Sequence, residues 1–88
     1  MAVKRQIEVF SAACSVCEDT IAMVNRLACP SDEVIIQNMH DLNVARRAQD
    51  LGIRSVPAVV IDGMLADCCT GRGPDEATLR AAGLGQPL

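Results

Sequence analysis

Ile7-Glu8-Val9-Phe10-Ser11-Ala12-Ala13-Cys14-Ser15-Val16-Cys17 is the stretch that decides how this chain is read. Its first half belongs to Val-Lys-Arg-Gln-Ile-Glu-Val-Phe at 3–10, which turns alternating and β-prone and predicts a strand. Ser11-Ala12-Ala13 is a short loop. A helix follows from about Cys14 or Ser15 to Ala28, because Val16, Met23, Val24 and Leu27 recur at helical spacing, with Thr20 on the same side. Pro30 stops it, since the residue before a proline avoids the α region.

A Cys-x-x-Cys pair by itself also suits a zinc site. Here it follows a strand directly and opens a helix. Two cysteines three apart on a first helical turn share one side, so their sulfurs can close a short disulfide. The free N–H groups and partial positive charge of a helix N-terminus favour a thiolate, the attacking species. Cys14 is thus the expected attacker and Cys17, one turn inward, the resolving thiol. Two other readings stay open. A zinc or soft-metal site would recruit Cys68 and Cys69 as further ligands, and a purely structural pair needs neither chemistry.

The remaining chain supplies the elements around this centre. Val34-Ile35-Ile36 within Glu33–Met39 is a continuous apolar run, which suits a strand covered on both faces. Asp41 is a plausible N-cap for a second helix, with Val44, Ala48 and Leu51 along one face and Gly52 at its end. Ala58-Val59-Val60-Ile61 reads as a third strand. Asp62-Gly63 is a two-residue hairpin turn, so Met64 to about Cys69 is an antiparallel fourth strand. Gly71-Arg72-Gly73 breaks the chain, and Pro74 starts a last helix to about Ala82. Gly83 and Gly85 end it, with a frayed tail expected beyond. The order β-α-β-α-β-β-α predicts an α/β fold with a four-stranded mixed sheet and three helices.

Composition narrows the function. Eighty-eight residues make a single domain, with a core over about 3–84. Phe10 is the one aromatic residue, so the core rests on aliphatic side chains. The net charge is −3 without a basic block, which argues against nucleic acid. No apolar run is long enough to cross a bilayer, and Glu8 spoils the N-terminal stretch as a signal segment. A cytoplasmic protein is expected. Five cysteines, an odd number, do not form a closed disulfide framework and point to redox or metal chemistry.

The Cys14–Cys17 motif after the first strand, Ser55-Val56-Pro57 before the third, and the element order together resemble the thioredoxin/glutaredoxin superfamily in its minimal, glutaredoxin-like form. The resemblance implies a cis Pro57 beside the cysteines and a Val56 backbone that pairs with the substrate chain by strand addition. The alternative is a trans proline opening an edge strand. It implies a thiol–disulfide oxidoreductase that reduces protein or low-molecular-weight disulfides. Such a protein carries electrons in its own thiols, needs no bound cofactor, and is recycled by glutathione or a thioredoxin reductase. Arg72, in the glycine turn before the last helix, would meet a carboxylate of glutathione, or else be a free loop arginine. Glu8, six residues before Cys14, matches a buried acid that aids proton transfer to the resolving cysteine in some thioredoxins; otherwise it is a strand residue facing solvent.

The departures from the family pattern are local. Ala12-Ala13 stands where an aromatic lead-in is common, and Ser15-Val16 replaces the familiar Gly-Pro or Pro-Tyr. Glu18-Asp19 follows the motif where a basic residue is usual, and two carboxylates there oppose ionisation of Cys14. Cys68 and Cys69, adjacent in a strand, would point to opposite faces. They are read as small buried hydrophobes, or as a redox-sensing or soft-metal pair. Cys29 is read as structural and His40 as a surface or cap residue away from Cys14. The rival to the enzyme is a thioredoxin-fold metallochaperone or sensor using Cys14, Cys17 and Cys68 or Cys69.

Overall fold

The computed structural model describes residues 4–12, 14–54, 56–67 and 76–85. Their elements are β1 (Arg5–Ser11), α1 (Ser15–Leu27), β2 (Asp32–Asn38), α2 (Leu42–Asp50), β3 (Ala58–Ile61), β4 (Met64–Asp67) and α3 (Glu76–Ala81). The four strands form one mixed sheet in the order β2-β1-β3-β4. β1 runs parallel to β2 and antiparallel to β3, and β3 is antiparallel to β4. The β3–β4 turn is made by Asp62 and Gly63, both at positive φ (50° and 82°), as a tight hairpin with the twist of its strands requires.

Strand alternation divides the core in two. Ile7 and Val9 face one way with Val59 and Ile61, and pack against Val24 of α1 and Leu79 of α3. Phe10 faces the other way with Ala58 and Val60, against Ala48 of α2 and Ile53. The helices therefore divide between the two sheet faces, α1 and α3 on one and α2 on the other.

β2 differs from the sequence expectation. It is an edge strand and not one covered on both faces. Glu33 on one face and Ile36 on the other are exposed, and Ile36 keeps 46% of its surface. The covered positions fall instead to β1 and β3, which have strand neighbours on both sides. β2 also runs one residue earlier than expected, because Asp32 is held in place at its start. Arg5 donates to Asp32 Oδ1, and the N–H groups of Cys29 (3.0 Å) and Gly85 (2.9 Å) donate to Oδ2. Burial pushes the Asp32 carboxyl up, but these three donors outweigh it and hold the group below its ordinary range.

The segment after α3 is docked as far as Gly85. Leu84 is fully buried and its N–H reaches the Leu79 carbonyl (3.1 Å). Gly85 has φ +82° and lies so close to Leu27 that a Cβ would sit 2.6 Å from its carbonyl oxygen. Only glycine meets both demands. α2 is capped by Asp41, whose side chain accepts from the Asn43 N–H (2.8 Å), and Gly52 follows its end at φ +82°.

Candidate active site

β1 delivers the chain to the start of α1 at its C-terminal end. Cys14 is the N-cap of that helix, with extended backbone (φ −85°, ψ 165°). Its Sγ accepts the Cys17 N–H at 3.1 Å, and its carbonyl accepts the Glu18 N–H at 3.0 Å. The sulfur thus takes the place that a serine or aspartate oxygen usually holds in a cap. A charged sulfur gains more from such a donor than a neutral one.

Cys14 and Cys17 are paired as a disulfide, with their Cα atoms 4.9 Å apart. Their surroundings are unequal. Cys14 is exposed, whereas Cys17 is completely buried on the inner face of the first turn. Thr20, one turn further along that face, is also buried, and its hydroxyl donates back to the Val16 carbonyl (2.9 Å). Outside the pair, Ser15, Val16, Glu18 and Asp19 are all exposed.

The third strand begins at the same end of the sheet. Phe10 is paired with Ala58, so Pro57 and Val56 lie level with the turn between β1 and Cys14. The Val56–Pro57 peptide bond is cis. Pro57 is buried and Val56 half-buried against the Phe10 cluster. Two chemically distinct segments, the Cys14–Cys17 turn and the Val56–Pro57 turn, thus share one end of the sheet. A model of the thioredoxin domain matches residues 5–82. The chain belongs to the thioredoxin family. It is also similar to an uncharacterized 9.0 kDa protein in the mobE 3′ region of Acidithiobacillus ferrooxidans, with 60% identity over 80 residues that cover 91% of this chain and 94% of that one. This thioredoxin-family membership and the cysteine pair together support a redox role in general terms.

Glu8 is not grouped with the cysteines. Its side chain lies on the α2 face of the sheet, opposite the face that α1 covers. It does not face solvent either, being only 7% exposed. Arg47 of α2 grips it through two of its guanidinium nitrogens, Nε to Oε1 at 2.9 Å and Nη2 to Oε2 at 2.7 Å. Gln37 of β2 adds a third bond at 3.0 Å. Its hydrogen bonds from Arg47 hold the Glu8 carboxyl below its ordinary range, against the opposing effect of burial. A carboxylate engaged in this way ties α2 to β1 and β2, and is poorly placed to carry a proton to Cys17.

Arg72, Cys68 and Cys69 lie outside the described residues. Among the described residues no three His, Cys, Asp or Glu side chains gather as a metal site, and no helix is long and apolar enough to cross a membrane. Cys29 is half-buried just past the end of α1. His40 is exposed in the turn before Asp41, yet it lines the same cleft as Ser11, only three residues before Cys14. Sequence reasoning did not link these two residues. The sequence reading put Ser11 in a loop, but β1 runs through it, and strand alternation carries its side chain to the α1 face with Ile7 and Val9. No comparable signal marks His40, whose position depends on the register between β1 and β2.

Proposed function

We propose that the protein is a thiol–disulfide oxidoreductase that reduces protein or low-molecular-weight disulfides. The observation that carries this reading is the inequality of the two cysteines: Cys14 exposed at the helix cap, Cys17 fully buried within bonding reach of it. In the reduced protein the Cys14 thiolate, held by the Cys17 N–H, attacks one sulfur of a substrate disulfide. The substrate S–S bond breaks, a mixed disulfide forms, and the first substrate thiolate leaves. Cys17 then gives up its proton and attacks the Cys14 sulfur. That step releases the second substrate thiolate and closes the Cys14–Cys17 disulfide. Two electrons pass from the protein to the substrate, and two protons complete the substrate thiols.

Substrate positioning in this reading falls to the Val56 backbone beside Pro57, by pairing with an extended chain. Arg72 is the proposed contact for a carboxylate of glutathione. Glutathione or a thioredoxin reductase returns two electrons to Cys14–Cys17, so no bound cofactor is needed. A reducing compartment, the cytoplasm, fits a protein that works from its dithiol form.

Disulfide reductase activity of the wild type, Cys14→Ser and Cys17→Ser, with glutathione or a thioredoxin reductase supplied in parallel, tests the reading. Loss of activity in Cys14→Ser is expected, and the productive donor identifies the recycling branch. Wild-type inactivity with both donors contradicts it.

A further inference from the structure

At the start of α1 the sheet is left open on its β2 side. Ser11, Ile36, Asn38 and His40 line a cleft of about 220 Å3 there. Its place follows from the strand register. Val9 is paired with Ile36 and Ser11 with Asn38, and Val9 belongs to the cluster beneath α1. Ile36 and Ser11 therefore belong to the α1 face. Val34, two residues earlier on β2, packs against the core, whereas Ile36 stays 46% exposed.

The cleft has an apolar wall and a polar rim, the usual make-up of a small ligand site. The rim is held by hydrogen bonds within the chain. Asn38 Oδ1 accepts from the His40 N–H (2.9 Å), and the Ser11 carbonyl accepts from the Met39 N–H (2.9 Å). Among the described residues no lysine or arginine lines it. The volume suits one aliphatic side chain, not an element of a partner's fold.

We infer that this cleft is a specificity subsite, which takes an apolar side chain next to the cysteine that Cys14 attacks in a polypeptide disulfide. The inference rests on the reductase reading above. The occupant belongs to the same molecule as the reacting sulfur, because the cleft begins only three residues before Cys14. The sheet order adds a second argument. β3, with Val56 and Pro57 before it, flanks β1 on one side, and β2 flanks it on the other. The two places bracket the nucleophile. The Val56 side holds a substrate backbone, and the β2 side reads a neighbouring side chain.

The test uses the full chain with Cys17→Ser, which traps the mixed disulfide. Three peptide disulfides differ only in the residue next to the attacked cysteine: Leu, Gly or Asp. Mass spectrometry follows formation of the adduct. The Leu peptide is expected to react about tenfold faster than the Gly peptide, the discrimination an apolar pocket gives one aliphatic side chain. Ile36→Lys, which puts a charge in the cleft, should bring the Leu-to-Gly ratio to about one. Ile36→Thr, which keeps the β-branched strand residue, should lower it part of the way, and serves if the Lys variant does not fold. Equal Leu and Gly rates, a preference for Asp, or a ratio unchanged in both Ile36 variants would overturn the subsite. Hydroxyethyl disulfide, offered to the protein with Ile36 intact, separates the two failures. If it too forms no adduct, the reductase reading itself falls.

Discussion

The two ends of β1 are built in opposite ways. At its start, Arg5 and Asp32 form an ion pair whose side chains are 8% and 0% exposed, and the Cys29 and Gly85 N–H groups complete the carboxylate. At its finish, Ser11 leads into an exposed Cys14, an exposed first turn of α1, and an open cleft. The closed end ties together residues far apart in sequence. The open end leaves Cys14 and the first turn of α1 exposed beside the cleft. One strand thus holds the fold at one end and presents chemistry at the other.

Breaking the closed end should have the largest effect on stability. Asp32→Ala removes the buried carboxylate that Arg5 and the Cys29 and Gly85 N–H groups donate to, a change that costs about 3–5 kcal/mol. Urea unfolding should show it as a lower midpoint, while any fraction still folded keeps its Cys14 reactivity. Glu8→Gln, midway along β1, should cost less, about 1–3 kcal/mol, because the half-exposed Arg47 can turn to water.

Acid should weaken the closed half in a definite direction. The ordinary values are 4.5 for Glu8 and 3.8 for Asp32, and both groups are lowered in the folded protein. The unfolded chain therefore takes up protons first as pH falls. The stabilisation is complete above those ordinary values and is lost as pH falls through the lowered folded ones. Urea midpoints should owe no loss to these groups at neutral pH, and should drop in acid. Glu8→Gln should flatten part of that drop.

At the open end the expected changes are kinetic and smaller. Glu18 and Asp19 are exposed beside Cys14, where their charges oppose the thiolate. Glu18→Gln with Asp19→Asn should speed alkylation of Cys14 by iodoacetamide by a few fold, less at high salt. An unchanged rate would mean that solvent already screens both carboxylates.

The open end was also the more legible of the two. Strand, Cys-x-x-Cys and helix follow one another within Ile7–Cys17, and Asp62-Gly63 states its own turn. Both depend on near neighbours. The closed end depends on Arg5 meeting Asp32, and on Asp32 meeting Gly85, across sequence gaps that no local pattern encodes. Glu8 shows the same limit. Its spacing to Cys14 suggested proximity, but strand alternation sent its side chain to Arg47 on the opposite face. β2 misled for a related reason. Val34-Ile35-Ile36 has the apolar run of an inner strand, and only the sheet order reveals it as an edge.

In the proposed reaction Cys14 attacks and Cys17 resolves. Cys14→Ser and Cys17→Ser, each reduced and then mixed with a small disulfide, test it by mass spectrometry of the intact protein. A stable adduct is expected on Cys14 in Cys17→Ser, and little or none on the buried Cys17 in Cys14→Ser. Equal adducts in both variants, or one on Cys17 alone, would contradict it.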